Sequence, residues 1–433
     1  MKKLLTVSLI VLITMSTIFA QGTSEKEVKK SLTIWVEKSF SNDANYLMEK
    51  RIEAYGKEKG VKVSAEFISA IDFMTKLNAA IEAGNTPDVV SANFYKVLSY
   101  GSNNPFMDVS DLMEEINDYR TFLNSTYQGT KIEGKNYYIP FNASSDLLFL
   151  RKDIFDAKGV AIPTTWDELF DAAIAVSDPD NGVYGFGMGS GPTDEDGCNT
   201  FRMINWSNGG ALLDEKGNII ANKDSETLRL LTNYKRMYDA GAIPPASVAW
   251  NPGGNNASYL MGESAMVMNA PTLYNAMKND SGYADLLANT LIMPPPVGKV
   301  DHTVLGLVYG WAVMNKSKNA DVAKDYIKYS LETEWYNEYI ALVAPVFVPV
   351  FEDGLKNPLF TTGVNKAAMD YAANATGYYG YPVKNLDGLV LASRHYYQFP
   401  ICALMNNVVA KNKTPQKALD FLAIDMKRVA DTL

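Results

Sequence analysis

Histidine and cysteine are scarce in this sequence, which has only two of each among its 433 residues. Neither His302 nor His395 stands at the spacing of a metal-ligand motif, and there is no Gly-x-Ser-x-Gly elbow, no Walker loop and no Cys-x-x-Cys pair. Zinc enzymes, serine hydrolases, P-loop NTPases and dithiol oxidoreductases are therefore poor matches. We predict that the protein is not an enzyme and that it uses neither a cofactor nor a metal ion.

Two short runs resemble a phosphate-binding loop and a Ca²⁺ loop, but each lacks residues that such a loop requires. Residues 185–191 (GFGMGSG) are rich in glycine but lack the Lys-Ser/Thr pair of a phosphate-binding loop. Residues 194–197 (DEDG) are acidic but lack the ligand spacing of a Ca²⁺ loop. We interpret the first run as a strand that leads into a loop and the second as a solvated acidic turn.

Beyond residue 20 the sequence has no apolar run long enough to span a bilayer. In the first twenty residues, Lys2 and Lys3 precede an apolar stretch, 4–19, that is too short and too interrupted by Ser and Thr for a membrane span. We predict a signal peptide at 1–20 that is cleaved near Ala20, followed by a flexible polar tether at 21–30. The mature protein is then exported.

Basic residues are outnumbered. Removing Lys2 and Lys3 from the 40 basic residues leaves 38 against 49 acidic residues, a net charge of about −11 for the mature chain. This excess argues against nucleic acid and anionic membranes as partners. In an exported chain Cys198 and Cys402 could pair, but they are far apart in sequence, and we favour two separate buried thiols.

The mature chain opens with strands and helices in alternation. Residues 32–36 and 61–68 have the alternating or β-branched pattern of strands, and 87–90 opens a third. Between them, apolar residues recur at helical spacing, and the two helices end near Gly60 and Gly84. Short connections of this kind predict a parallel sheet with helices on both faces.

A second informative stretch runs from 137 to 169. It contains an apolar strand at 147–150 and then a charged turn. Thr165 can act as a helix N-cap, and Glu168 can bond back to it in a capping box. Apolar residues recur at helical spacing from Trp166 onwards. This pattern predicts a strand–turn–helix unit.

Together these segments resemble the extracellular solute-binding proteins of ABC importers. Within that family the resemblance is closest to the sugar-binding group, which includes maltose-binding protein. The resemblance covers essentially the whole mature chain. It departs at 150–153, where Leu-Arg-Lys-Asp replaces the more usual Tyr-Asn-Lys-Asp. The motifs that carry it are Pro-Asp-Val-Val (87–90), Lys-Asp-x-Phe (152–155), Pro-x-Thr-Trp-x-Glu-Leu (163–169), Asn-Gly-Gly-Ala-Leu-Leu-Asp-Glu-Lys-Gly (208–217) and Gly-Glu-Ser-Ala-Met (262–266).

The resemblance implies an α/β fold of the periplasmic-binding-protein type II kind, in which crossing hinge segments join two α/β lobes around a cleft. The implied crossings lie near 142–147, 291–296 and 331–335. The expected segments are 31–142 and 296–332 for the N-terminal lobe, and 143–295 and 333–433 for the C-terminal lobe.

The resemblance also implies a function. Such a protein captures a mono- or oligosaccharide by hinge closure and delivers it to ABC transporter permease subunits in the inner membrane, acting as a periplasmic monomer. Many relatives are lipoproteins anchored through a cysteine that directly follows the cleavage site. Gln21 occupies that position here, so no lipid anchor is expected.

Aromatic and amide side chains supply the candidate ligand contacts, because sugars combine apolar faces with hydroxyl groups. Most candidates have a competing structural role: core packing for the aromatic rings, hinge hydrogen bonds for the Asn and Asp, and a salt bridge for the Arg. A ligand role is favoured over packing at Trp250. The candidates are Trp35, Glu37, Asn142, Asp146, Trp206, Trp250, Tyr309, Trp311, Tyr379 and Arg394.

Other ligands and one other class stay open on the sequence alone. The same fold could bind ferric iron through adjacent tyrosines such as Tyr378 and Tyr379, or Tyr396 and Tyr397. A polyamine would require several carboxylates in the cleft, and a glycerophosphodiester would require a basic cluster that the sequence does not contain. A secreted glycoside-processing enzyme needs two carboxylates that flank one bond, and no such pair stands out.

Overall fold

The computed structural model describes residues 30–300, 307–376, 381–398 and 400–432. The strands of this part are β1 (Ser31–Glu37), β2 (Lys62–Ile68), β3 (Val89–Asn93), β4 (Ile139–Ser144), β5 (Leu147–Arg151), β6 (Met266–Asn269), β7 (Thr290–Met293), β8 (Val308–Val313) and β9 (Phe347–Val348). They form a six-stranded sheet in the order β2-β1-β3-β8-β4-β9 and a three-stranded sheet in the order β6-β5-β7.

The first three strands form the parallel part of the six-stranded sheet. β1 pairs with β2 from Ser31 opposite Lys62 to Glu37 opposite Ile68, and β3 lies on the other side of β1. β8, β4 and β9 continue the sheet in antiparallel pairs. The predicted βαβ pattern is therefore confirmed for β1 to β3. The sheet as a whole is mixed, because the strands that join it later in the chain run antiparallel to their neighbours.

The helices of the described residues are α1 (Asn42–Lys59), α2 (Ala70–Ala83), α3 (Phe94–Leu98), α4 (Ser110–Tyr119), α5 (Asn124–Gly129), α6 (Lys152–Lys158), α7 (Trp166–Val176), α8 (Glu195–Ser207), α9 (Ser225–Asp239), α10 (Gly254–Leu260), α11 (Thr272–Asn279), α12 (Ala284–Ala288), α13 (Ala320–Ser330), α14 (Thr333–Val343), α15 (Gly363–Asn374), α16 (Leu386–Tyr397), α17 (Pro400–Val409) and α18 (Pro415–Ala430). The predicted stops of α1 and α2 are confirmed, since Gly60 and Gly84 follow them with φ of 66° and 67°, a left-handed conformation that favours glycine. The predicted capping box of α7 is also confirmed, with both bonds between Thr165 and Glu168 present.

The chain passes between the two sheets more than once. β4 and β5 belong to different sheets and are separated only by Ser145 and Asp146, within the crossing expected near 142–147. The chain returns to the six-stranded sheet between β7 and β8. It joins the core of the three-stranded sheet again from Tyr381 onwards.

The last return differs from the one expected near 331–335. β9 pairs with β4, and in α14 the Tyr336 hydroxyl donates to the Phe141 carbonyl of β4 at 2.6 Å. Met369 of α15 belongs to the same core. Residues 333–376, which we expected in the C-terminal lobe, therefore pack on the six-stranded sheet.

The hydrophobic core has two parts that meet at the three-stranded sheet. One face of this sheet, with Phe149 and Val267, joins the core of the six-stranded sheet. The other face, with Leu148 and Met268, packs with α7, α8, α9, α17 and α18. Alternation of side chains along a strand sends neighbouring residues to opposite faces, so this small sheet is buried on both sides.

A disulfide joins Cys198 in α8 to Cys402 in α17, with their Cα atoms 5.2 Å apart. Our expectation of two separate thiols is therefore wrong. The two residues are 204 positions apart, and the packing of α17 against α8 brings them together, a contact that sequence spacing does not reveal. Disulfides persist in oxidising compartments, which agrees with an exported protein.

Candidate functional site

A cavity of about 210 Å³ lies at the edge where β1 ends and β4 leaves the six-stranded sheet. The carboxyl ends of parallel strands are the usual position of a ligand in open α/β sheets. The cavity brings together four residues that the sequence singled out, and Phe347 of β9 adds a further ring. The four residues are Glu37, Asn142, Tyr309 and Trp311.

Glu37 carries a fixed partner at the end of β1. The Lys96 ammonium forms an ion pair with its carboxylate, and both side chains are largely buried. The same ammonium lies 4.5 Å from the centre of the Phe73 ring. Burial lowers the pKa of Lys96, and the negative charge of Glu37 opposes that shift. The pair thus fixes an acceptor at the cavity wall without adding net charge to it.

Asn142 lines the cavity and carries a buried acceptor without a partner. It stands opposite Tyr309 in the β4–β8 ladder, directly after a register shift that begins at Pro140. The residue is only 5% exposed, and its Oδ1 has no hydrogen-bond partner among the described residues. The buried indole nitrogen Nε1 of Trp311 also has no hydrogen-bond partner among the described residues. A buried polar atom without a partner costs roughly 1–3 kcal/mol.

Aromatic rings lead from the cavity to the surface. The Tyr309 and Phe347 ring centres are 5.5 Å apart in an edge-to-face arrangement. Phe40 follows at 5.9 Å from Phe347, and half of Phe40 is exposed. Flat rings at the mouth of a largely apolar cavity with a few polar side chains suit the apolar faces of a polyhydroxylated ring.

Four carboxylates, which we call the acidic group, lie beside the crossing: Asp146, Asp194, Glu195 and Asp196. Asp194 is 1% exposed and caps α8 by accepting the N–H of Gly197 at 3.1 Å. The predicted solvated acidic turn is therefore wrong, because this run begins a buried helix whose N-terminus favours negative charge. The strand predicted for the glycine run at 185–191 is absent. Glycine is required at Gly189, because a side chain there would overlap Asp194.

The carboxylates of the acidic group disfavour one another's ionisation. Burial, and then the charge of Asp146, raises the pKa of Asp196 to about 7, although Asn255 donates to its Oδ2 at 3.1 Å. Burial and the charge of Glu195 raise the pKa of Asp146 to about 6. Burial raises the pKa of Asp194 to about 6 as well. Buried groups of one sign with raised pKa values are typical of functional sites.

Tyr396 of α16 joins the acidic group to the six-stranded side. Its ring stacks on Tyr95 of α3 with centres 4.1 Å apart and an angle of 11° between the planes. Its hydroxyl lies 3.4 Å from Oε1 of Glu195, and the Arg202 guanidinium lies 4.6 Å from its ring centre. Burial, and then the charge of Glu195, raises the pKa of Tyr396 well above its usual value.

The other predicted residues lie in varied surroundings. Trp250 packs against glycines 189, 191 and 254, next to Asp194. Trp35 lies beneath the Lys76 ammonium, 4.9 Å from its ring, and does not line the cavity. Trp206 is buried in the second core, 5.2 Å from the Tyr381 ring.

Two predicted residues remain. Arg394 is half-buried in α16, one position after Ser393, whose hydroxyl donates to the Tyr95 carbonyl at 2.9 Å. Tyr379 lies outside the described residues.

Sequence reasoning missed several residues of the site. Lys96 and Tyr95 follow a predicted strand without any motif, and Phe347 lies in a strand of two residues. Glu195 and Asp196 stood in a run that we had noticed as acidic. Asp194 lies directly before α8 and Glu195 and Asp196 lie in its first turn, and this acidic start was the signal that could have identified the run as a helix N-terminus.

Comparison with known proteins identifies relatives along most of the chain. Residues 50–368 match the family model described as bacterial extracellular solute-binding protein. A maltooligosaccharide ABC transporter solute-binding lipoprotein of Streptococcus pneumoniae is 24% identical over 367 residues, which cover 78% of this chain and 77% of the relative. Within the described residues, no helix is both long enough and apolar enough to cross a membrane.

Solved structures with the same fold are numerous. An ABC transporter solute-binding protein from Agrobacterium radiobacter in complex with ribitol has a TM-score of 0.72 at 22% identity, covering 92% of this chain and 98% of that one. A sugar transporter from Arthrobacter chlorophenolicus with bound laminaribiose also has a TM-score of 0.72, at 17% identity and with 92% and 99% coverage. These likenesses confirm the predicted α/β fold of the periplasmic-binding-protein kind.

Proposed function

The chain belongs to the family of bacterial extracellular solute-binding proteins, and on that premise we propose that it captures a mono- or oligosaccharide and delivers it to an ABC permease. Its family and its structural neighbours are binding proteins rather than enzymes. The relative from Streptococcus pneumoniae carries maltooligosaccharide in its name, and the two structures hold ribitol and laminaribiose. All of these are polyhydroxylated compounds. We propose no catalytic activity, cofactor or metal for this chain.

The observation that supports a carbohydrate most is the composition of the cavity at the crossing. Asn142 offers a buried unpartnered acceptor, the Glu37–Lys96 pair offers fixed polar atoms, and Tyr309 and Phe347 offer apolar faces. Planar polar groups beside aromatic rings are what hydroxyl groups and C–H faces of a sugar require. A bare ferric ion would leave these rings without a role.

We further propose that binding closes two lobes around the ligand. One lobe would hold the six-stranded sheet with 31–144 and 307–376, and the other the three-stranded sheet with 147–293 and 381–432. A ligand that touches both lobes shifts the equilibrium by its preference for the closed state, and by no more than that. Asp146 and Trp250 would contribute from the second lobe, whereas the surroundings of Trp35 and Trp206 support a packing role for them.

The setting of this function is a proposal as well. A signal peptide at 1–20, cleaved near Ala20, would export the protein to the periplasm, and Gln21 in place of a cysteine would leave it without a lipid anchor. There it would act as a monomer that presents its closed form to permease subunits. The disulfide between Cys198 and Cys402 supports an oxidising compartment.

Thermal unfolding of the purified protein across a ligand panel tests the function. The panel holds mono- and oligosaccharides, with ferric citrate, spermidine and a glycerophosphodiester as non-sugar controls. A ligand at 100 times its Kd adds about 2.7 kcal/mol to the free energy of unfolding, enough to raise the midpoint clearly. We expect a shift with one class of carbohydrate.

Variants locate the binding site in the same assay. Tyr309→Ala should weaken the shift because it removes a ring from the cavity. Tyr119→Ala, which removes an exposed ring on α4 away from the cavity, should leave it unchanged. A shift with a control ligand alone would contradict the carbohydrate assignment and leave the fold intact.

A further inference from the structure

We propose that α16 is a strap between the two lobes, and that its Tyr396, stacked on Tyr95, holds the protein partly closed when no ligand is bound. The inference rests on the two lobes of the proposed function, but it does not depend on which ligand they capture. It makes Tyr396 and Tyr95 positioning residues for closure.

The helix α16 contributes side chains to both hydrophobic cores. Leu391 and Ala392 belong to the core of the three-stranded sheet, and the helix packs there against α18. Tyr396 belongs to the core of the six-stranded sheet, and the same helix packs there against α3. Neighbouring positions on a helix point in different directions, so one helix can face both lobes at once.

One face of α16 lies along the first lobe. The backbone N–H of Leu386 donates to Oε1 of Glu133 at 3.2 Å. Further along the helix, the hydroxyl of Ser393 donates to the Tyr95 carbonyl at 2.9 Å. These two contacts are about two helical turns apart, so they lie on the same face of the helix. The strap therefore contacts the first lobe at both ends.

Tyr396 carries an aromatic ring from the second lobe onto the first. Its ring stacks on that of Tyr95 in α3, with centres 4.1 Å apart and an angle of 11° between the planes. We call this pair the interlobe stack. Both residues are buried, and paired aromatic rings stabilise a contact beyond the area that they bury. Opening of the lobes would separate the two rings.

Two side chains of α8 hold Tyr396 on the second lobe. The Arg202 guanidinium lies 4.6 Å from the ring centre and donates to the Tyr396 carbonyl at 3.2 Å. Oε1 of Glu195 lies 3.4 Å from the hydroxyl. The disulfide between Cys198 and Cys402 fastens the next helix, α17, to α8. Because this side is held by charge, hydrogen bonds and a covalent link, we expect the interlobe stack to be the part that separates.

A contact between the lobes that needs no ligand raises the population of the closed form before binding. A ligand that requires the closed form then binds with an apparent affinity that scales with this population. Within the described residues, neither Tyr95 nor Tyr396 lines the cavity at the crossing. The interlobe stack thus sets the affinity of that cavity through the lobes rather than through a contact in it.

Small-angle X-ray scattering of the ligand-free protein tests the inference with matched variants. Tyr396→Leu keeps an apolar side chain but removes the stacked ring. Phe351→Leu is the control, because Phe351 also stacks on a ring, Phe122 at 4.5 Å, and lies 4.1 Å from the Arg120 guanidinium. These three control residues all belong to the first lobe. We expect Tyr396→Leu to increase the radius of gyration and Phe351→Leu to leave it unchanged.

Tyr95→Leu removes the same stack from the other lobe, and it carries the test if Tyr396→Leu does not fold. The double variant should expand no more than either single variant, because each substitution removes the same contact. With a sugar that calorimetry shows to bind, each single variant should have a Kd higher by roughly threefold to tenfold. At saturation its radius of gyration should match that of the saturated wild type.

The outcomes separate the strap from the carbohydrate proposal. A ligand-free radius equal to that of the wild type in the folded tyrosine variants overturns the strap, and so does an equal expansion of Phe351→Leu. Either result leaves the carbohydrate proposal standing if a sugar binds. Expansion of the tyrosine variants alone, in a protein that binds no sugar, supports the strap and contradicts the carbohydrate proposal.

Discussion

Asp196→Asn should make the protein more stable at alkaline pH and leave its stability unchanged at acidic pH. The folded state raises the pKa of Asp196 from 3.8 to about 7, chiefly by burial and by the charge of Asp146. Well below pH 3.8 the carboxyl is protonated in both the folded and the unfolded chain, so it costs nothing. Between pH 3.8 and about pH 7 the unfolded chain has lost this proton while the folded state still holds it, so stability falls across that window and is level above it.

The size of the gain follows from the pKa shift. A pKa raised from 3.8 to about 7 corresponds to about 4 kcal/mol as an upper limit. Asp196 is partly exposed, and solvent screening reduces this figure to roughly 2 kcal/mol. The asparagine oxygen can still accept the hydrogen bond from Asn255, so the substitution removes charge rather than a contact.

Thermal midpoints at about pH 8 and about pH 3 check this reasoning, with Asp180→Asn as the matched exposed control. We expect the Asp196→Asn midpoint to exceed the wild-type midpoint by several degrees at the higher pH only. An equal gain at both pH values, or a loss at the higher one, would refute the argument that unmatched charge destabilises this site.

Three further substitutions test the packing around the site. Gly189→Ala should cost roughly 1–3 kcal/mol in urea unfolding, because its methyl group would overlap a buried carboxylate of α8, whereas Gly253→Ala meets only ordinary contacts and should cost little. Cys402→Ser should cost about 2–4 kcal/mol through the lost disulfide, and a reductant should destabilise the wild type but not the variant. Lys96→Met leaves the Glu37 carboxylate buried without its partner and should cost roughly 3–5 kcal/mol, part of which a second change, Glu37→Gln, should restore. A Lys96→Met variant as stable as the wild type would show that the ion pair is unimportant.

The sequence predicted helix boundaries well where the contacts that set them lie within a few residues. The capping box at Thr165 and the glycine stops of α1 and α2 depend on contacts within a few residues, so the chain near them contains the whole signal. The resemblance to a known family supplied the two-sheet architecture, which periodicity alone would not have given.

Contacts between distant segments were harder to foresee. The disulfide and the return of residues 333–376 to the six-stranded sheet depend on which helices pack together, and local patterns do not encode this. The acidic run at 194–197 was misread because charge in a turn usually means solvent, whereas here a helix N-terminus and an amide accommodate it. The sequence correctly singled out four residues of the cavity, because strand ends and crossings converge on one edge of the sheet. They are Glu37, Asn142, Tyr309 and Trp311.

The proposed capture requires that a bound carbohydrate draws the two lobes together. Small-angle X-ray scattering of the purified protein, with and without a sugar that calorimetry has shown to saturate it, measures this directly. We expect a smaller radius of gyration with the sugar, and no change with a sugar that does not bind. An unchanged radius at full saturation would contradict capture by closure.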